Sequence, residues 1–511
     1  MRVFTPSNVG LFLGFLFLFA SSCSGPESSN ANKSASQAPE ESFDSTSSAL
    51  LKATQNCSPD ALTIARANPD LISKAGAHGR TPLMHAMACG NGQLVGFLIQ
   101  TGADPNATDL SGNTALFYPP TSDQPELFSL LLQAGANPLH RNNVGQSALF
   151  GPSLLNQSST LSVLLAAGAR DEQLRPLQRT AFVEAVLQEH LAIAQLLLNA
   201  GSPKNPSLKK GHSLLSLAAV SGKPAAVDFL LNQGVAPYTE NQTGNSPIHL
   251  AAREGFDEVT TLLLKHGTPV NVLDADGYTA LQRAAEGGRS SSVALLAESG
   301  AGLEERGSEK TESTPLLLAA FAGHTQTAIR LIDLGAAINA HNRSLVTALM
   351  HAAYQGDLEL VQHLTSQPNC DINVLSAEGH SALIYAVVRN RPAVVETLLA
   401  NGANPNLVTQ IKAFGRVTPL TLAAGRGYLE MTKSLLDAKA NPNVADDVVG
   451  FGKTTPLILA ARKGYEPIVK LLLSHQAEVA AKDSLGLTAW EWASKENRTA
   501  ISALLAQTLK N

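Results

Sequence analysis

The sequence predicts an all-α solenoid in which one helix pair is copied about thirteen times. Three observations predict it. A Thr or Ser suited to capping a helix recurs about every 33 residues, paired alanines follow several copies at a fixed offset, and a glycine closes many of the first helices. Composition agrees: 44% of the 511 residues are apolar and only 5% aromatic, which suits small regular helices better than a large mixed core. A chain this long also exceeds what one globular core usually holds. Its 37 basic and 42 acidic residues leave a formal charge of −5 and no excess to neutralise phosphates, which argues against a nucleic-acid partner.

Residues 1–22 read as a processing signal. Arg2 supplies the positive end and residues 9–20 (VGLFLGFLFLFA) the apolar stretch, which is short for a membrane span. Ala20-Ser21-Ser22 then precede Cys23, an arrangement that resembles a bacterial lipobox, with Ala20 where that pattern usually has Leu. The resemblance implies lipidation at Cys23. Ordinary cleavage at the same small residues, leaving Cys23 a free thiol, is the alternative. Residues 23–47 are rich in Ser, Ala, Asn, Pro and Glu and read as a flexible linker, because they hold too little apolar surface to order themselves. Ser24 directly after the cysteine resembles the outer-membrane sorting class of lipoproteins.

Residues 48–511 carry the repeat. The cap residues are Thr81, Thr114, Ser147, Thr180, Ser213, Ser246 and Thr279, each 33 residues after the last. Thr314, Thr347, Ser381, Thr418, Thr455 and Thr488 follow at steps of 35, 33, 34, 37, 37 and 33. A cap oxygen followed by proline (Pro82, Pro247, Pro315, Pro419, Pro456) starts a helix. Alanine pairs such as Ala251-Ala252 and Ala460-Ala461 allow close approach of neighbouring helices. Gly255, Gly323 and Gly427 supply the left-handed end of the first helix. Leucine pairs such as Leu471-Leu472 mark the buried face of the second, which only a stacked neighbour can cover.

The period and the runs NSPIHLAAREG, STPLLLAAFAG and TTPLILAARKG resemble the ankyrin pattern, over essentially all of residues 48–511. Membership of that family implies helix pairs joined by β-hairpin loops, a concave binding surface, a protein partner and a monomer. It implies no cofactor. His249 holds the family's TPLH place, where the ring bonds backbone; His85 and His351 fall one residue later in their copies. The region 49–67, with Ser48 one period before Thr81, reads as a terminal cap with Asp60 at a helix start, and residues 488–511 as the other.

Departures from the pattern are where specificity is sought. Residues 116–179 are degenerate, and Tyr118-Pro119-Pro120 should break a first helix; drift at a tolerant place is preferred over a recognition loop. Two successive hairpins, 407–417 and 444–454, are each four residues long in excess and end in Ala413-Phe414-Gly415-Arg416 and Gly450-Phe451-Gly452-Lys453. Side by side, Phe414 with Phe451 and Arg416 with Lys453 would form an aromatic and basic ridge, and Arg426, Arg462 and Lys463 add charge nearby. Mutual packing of the two rings is the equal alternative. Arg253, Tyr278, Phe321, Tyr354 and Arg389 are further surface candidates.

Cys57 and Cys89 stand at nearly equivalent places in adjacent copies, with Cys370 apart. Small buried thiols are the preferred reading, and a Cys57–Cys89 disulfide clamping the cap is the alternative. No HExxH, GxSxG, P-loop or CxxC occurs, and no histidine pair has metal-ligand spacing. The expectation is a non-catalytic, lipid-anchored binding scaffold in the bacterial cell envelope, in the outer membrane and facing periplasm or surface. The alternatives are a secreted protein acting on a host or competitor target, and an accessory to a periplasmic enzyme.

Overall fold

The computed structural model describes residues 45–509, apart from 173–178, 207, 209–212, 239–245, 308–311 and 412–414. The signal-like segment, nearly all of the linker, Cys23 and Phe414 therefore lie outside the described residues. A compact body runs over Ala49–Asn511. Among the described residues, antiparallel helix pairs such as Pro247–Glu254 with Asp257–Lys265, and Pro315–Ala322 with Thr325–Asp333, succeed one another along the chain. First helices pack on first helices and second on second, which makes an α-solenoid.

Local chemistry explains each helix. Thr314 Oγ1 accepts from the Leu317 N–H, Pro315 opens the first turn, and Gly323 ends it at φ 78°. Thr81, Thr180, Ser213, Thr347, Ser381, Thr418, Thr455 and Thr488 cap in the same way. Ser246 does not. Its hydroxyl is committed to His249 Nδ1 at 2.8 Å, and His249 Nε2 reaches Val272 O at 3.0 Å, so the histidine ties the first helix to the following loop. The alanine pairs are buried, including Ala251, Ala252, Ala319, Ala320, Ala460 and Ala461, and leucines such as Leu263, Leu331 and Leu472 are buried beneath the second helices. Each such leucine contributes about 1.5–3 kcal/mol over an exposed one.

Two sets of side chains hold one repeat to the next. Asn406 Oδ1 accepts from the Asn441 N–H at 2.8 Å while Asn406 Nδ2 donates to Lys439 O at 3.3 Å. Asn373 does the same toward Asn404 and Gly402, and Asn443 toward Glu478 and Gln476, which makes a ladder along the loops. On the other side, carbonyls at the ends of first helices are met by the following repeat. Arg289 Nε donates to Arg253 O at 3.0 Å, Gln355 Nε2 to Phe321 O at 2.6 Å and Arg426 Nη1 to Val388 O at 2.7 Å. Helix carbonyls that lack intrahelical partners are satisfied this way, and the cations face the negative helix end.

In the degenerate region the first helix shrinks to one 3-10 turn, Ala115–Phe117, and to the short helix Phe150–Leu154. The caps lose their purpose, and Thr114 Oγ1 and Ser147 Oγ find no hydrogen-bond partner among the described residues. The proline loop still serves the stack. Asp123 accepts from the Ser159 and Thr160 N–H groups, at 2.9 Å each, and so caps the helix Ser158–Ala166 of the next repeat. Tyr118 donates to Asp109 and lies under Arg80.

The two long hairpins become strands. β1 (Thr409–Ile411), β2 (Gly415–Val417), β3 (Asp446–Val448) and β4 (Gly452–Thr454) form one antiparallel sheet in that order. Asp446, a buried residue of β3, accepts from the Thr418 N–H and hydroxyl at 2.7 Å each.

Cys57 and Cys89 are bridged, with Cα atoms 5.4 Å apart. This corrects the expectation of two separate buried thiols. Cys57 adopts φ 53°, the left-handed place that glycine takes in other repeats, and this brings it within the ordinary bridging window of Cys89 at the end of the next first helix. Cys370 is free and half-buried, and burial raises its thiol pKa. Asp60 precedes the helix Ala61–Ala67 but makes no side-chain cap. At the far end, Thr488 and Glu491 form a capping box that starts the terminal pair Ala489–Lys495 and Thr499–Thr508.

Candidate functional site

The exposed ends of the first helices form the most distinctive surface. Position seven after the cap falls on the last turn, beyond the buried stripe. It holds Arg253, Glu286, Phe321 and Tyr354 in successive repeats, with Arg389 and Lys463 one place further on in theirs. Phe321 is 66% exposed and Tyr354 42%, large values for rings on an ordered helix.

Contacts join Phe321, Tyr354 and Arg389 into one band. Phe321 meets the His351 ring edge-on at 5.3 Å, and Tyr354, one turn after His351, meets Tyr385 at 5.9 Å. The Arg389 guanidinium lies 4.5 Å over the Tyr354 ring. His380 closes on the other side of Tyr385 at 5.3 Å. Burial alone pushes the His351 pKa down to about 4, so its ring is a neutral wall rather than a cation at pH 7. Burial likewise lowers His249, against the opposing pull of Asp274.

At the amino-terminal side of the band, Arg283 is surrounded. It binds Asp274 at 2.7 Å, Asp276 at 2.6 Å and Glu286 at 2.9 Å, and lies 4.6 Å from the centre of the Tyr278 ring. Burial pulls the guanidinium pKa down, but the hydrogen bonds it donates to Asp274 and Glu286 outweigh that and hold the value above ordinary. Tyr278 is thereby stiffened as one wall of a cleft of about 460 Å³ whose lining includes Leu317, Leu318, Phe321 and His351.

Of the ridge the spacing predicts, Phe414 lies outside the described residues, which leaves Phe451, Arg416 and Lys453. Phe451 is half-buried on Val417, Val448 and Leu459, under the Arg462 guanidinium at 4.4 Å. Its ring is a packing contact. The β3–β4 turn is closed by the Phe451 N–H donating to Val448 O at 2.9 Å, which keeps the ring beside Val448. Arg462 also lies 3.8 Å over Trp492 and 3.5 Å from Glu496, so it joins the last full repeat to the cap. Arg426 is half-buried as a carbonyl clamp. Arg416 and Lys453 are exposed, but strand register sets Asp447 between them as the partner of both. Lys463 remains exposed, 5.5 Å from Phe451. The sequence alone did not single out Tyr385, Arg283 or Trp492; the signal available for them was an aromatic or cationic residue four places after the cap, where Leu217, Leu250, Leu318, Leu422 and Leu459 stand in other copies.

Among the described residues no group of His, Cys, Asp and Glu side chains could hold a metal ion, and no helix is long and apolar enough to cross a membrane.

A family model described as ankyrin repeats matches residues 50–142, 215–307, 303–376, 349–446 and 420–511. The stretch between 142 and 215, which falls between matches, contains much of the degenerate region. Over 66 residues the chain is 46% identical to the poly [ADP-ribose] polymerase tankyrase of Caenorhabditis elegans, which is 12% of this chain and 3% of that protein. The human ASB11 ankyrin repeat domain is 24% identical, with a TM-score of 0.40, over 44% of this chain and 100% of its own. An ankyrin repeat domain from Acinetobacter baumannii is 29% identical, with a TM-score of 0.35, over 38% and 98%. With most of its length under the family model and each repeat built as described above, this chain belongs to the ankyrin repeat family.

Proposed function

We propose that this chain is an exported, lipid-anchored scaffold that binds a partner protein through the ends of its first helices, on the concave side of the solenoid, and through its hairpin tips. One observation carries the binding reading: Phe321 and Tyr354 stay exposed in a band whose neighbours Tyr385, His351 and Arg389 hold their rings in place. Rigid exposed aromatics beside arginine are the usual centre of a protein interface, and a preformed surface loses little freedom on binding. The solenoid contributes by holding these residues on packed helices.

Export is supported by two independent features. Residues 1–22 have the charge and apolar run of a processing signal. The Cys57–Cys89 disulfide belongs to an oxidising compartment. Lipidation at Cys23, with residues 24–47 as tether, would leave the solenoid free to reach a partner from an outer-membrane attachment.

Feeding cells an alkyne-tagged fatty acid tests the anchor. Label on the full chain, lost in Cys23→Ser together with membrane association, supports it; unlabelled protein in the medium favours the secreted alternative. The binding reading is tested by affinity capture from solubilised membranes with the intact chain and a folded Phe321→Ala, Tyr354→Ala, Arg389→Ala variant. One partner captured by the first and lost by the second supports it. Equal capture moves the site elsewhere, and an enzymatic activity that co-purifies with either would favour the accessory role.

A further inference from the structure

The band is chemically lopsided. Toward its middle lies the cleft bounded by Tyr278, Phe321 and His351, lined by Leu317, Leu318 and Ala322 together with the polar Glu286, Asn342 and Arg343. Beyond Tyr354 the exposed residues at the ends of the first helices are mainly cationic: Arg389, Lys463 and Lys495 are exposed, and none has a carboxylate within ion-pair distance among the described residues, while the exposed Glu378 lies 3.5 Å from His380 on the flank of Tyr385. Glu496 is taken by Arg462 at 3.5 Å. The neighbouring sheet adds Arg416 and Lys453 against one exposed acid, Asp447. This excess stands in a chain whose net charge is −5, so it is a local feature and not a general one.

The cleft runs on to the first cation, because Phe321 touches His351, Tyr354 follows on the same helix, and Arg389 covers Tyr354; one repeat, with Gly425 and the clamped Arg426 at these places, then separates Arg389 from Lys463. Packed helices lie about 9 Å apart, so the two repeat steps from Phe321 to Arg389 span about 18 Å. An extended segment covers that in about five or six residues, and the five repeat steps from Phe321 to Lys495, about 45 Å, in about fourteen.

We propose that this face takes an extended peptide segment of the partner, with one large apolar side chain seated in the Tyr278–Phe321–His351 cleft and acidic residues following along Arg389, Lys463 and Lys495. The proposal rests on the binding reading above and adds the partner's chemistry. Apolar burial in the cleft supplies affinity, and the cationic row sets direction and association rate, since unpaired surface charges act over a Debye length of about 8–10 Å.

A random library of peptides of about eighteen residues, displayed on phage, is selected against the folded chain lacking residues 1–22, and against two variants. One is Phe321→Ala; the other carries Arg389→Glu, Lys463→Glu and Lys495→Glu, all exposed positions that leave the core intact. The expected result is enrichment of sequences with a large apolar residue and a run of Asp or Glu. Synthetic peptides of those sequences bind at least about tenfold more weakly to either variant, and the charge contribution fades as salt rises. Neutral or basic sequences that depend on Phe321 overturn the acidic partner and leave the binding reading standing. Enrichment indifferent to both variants, or none at all, overturns both. Matched unfolding midpoints for the variants separate loss of binding from loss of fold.

Discussion

The disulfide between Cys57 and Cys89 ties the helix Ser45–Gln55 to the first helix of the next repeat, Pro82–Ala88. A bridge closing a loop with a separation of 32 residues restricts the unfolded chain by about 3–4 kcal/mol. Cys57→Ser with Cys89→Ser, or reduction, should therefore loosen the amino-terminal cap by that order. Hydrogen exchange is expected to accelerate across residues 45–100 and to leave residues 400–500 unchanged, because repeats couple mainly to their neighbours. Uniform acceleration along the chain would contradict this.

Asn406 offers a test of the loop ladder. Replacing it by Ala removes an acceptor for the Asn441 N–H and a donor to Lys439 O, both near solvent. Water recovers part of the loss, so urea unfolding should show about 1–2 kcal/mol of destabilisation. Asn404→Ala is the control, as its side chain accepts within its own loop, from the Asn406 N–H, and should cost less.

Arg462 between Phe451 and Trp492 predicts a coupled effect. Arg462→Ala loses two ring contacts, each about 0.5–2 kcal/mol, as well as Glu496. The terminal pair Ala489–Lys495 and Thr499–Thr508 should then fray first, seen as faster exchange there and a shift in Trp fluorescence. In a Phe451→Ala background the further cost of Arg462→Ala should be smaller than in the intact chain.

The pH dependence of stability has a definite sign. His351 is neutral in the folded chain, with its pKa lowered by burial from 6.5 to about 4, whereas the unfolded residue protonates near 6.5. Protons therefore bind the unfolded state preferentially between those values. The stability His351 contributes is complete above about pH 6.5, falls as the pH drops, and is lost by about pH 4, a change of up to about 3 kcal/mol. His351→Leu should flatten the unfolding free energy over that window. An unchanged pH profile would show that other groups dominate acid unfolding.

Several of these relationships were legible in the sequence. Thr314, Pro315 and Gly323 act within one helix, so their spacing alone announces where it begins and ends. His249 was readable from its place in the repeat and bonds backbone as expected. The broken first helix at Tyr118-Pro119-Pro120 was readable too, because proline acts locally.

Partners about one repeat away were not legible. Whether Cys57 bridges Cys89 depends on a left-handed residue bringing two Cα atoms to 5.4 Å, and nothing in the spacing states that distance. Phe451 and Arg462 read as surface from their loop and helix positions, yet stacking on Trp492 and on the sheet's buried face draws them inward. Asp447 between Arg416 and Lys453 follows from strand register, which is set by how neighbouring hairpins pair. The sequence by itself determined the repeat, its caps and its class, because those rest on interactions within a few residues. Only the tertiary structure decided which side chains remain exposed, because that depends on what the adjacent repeat places against them.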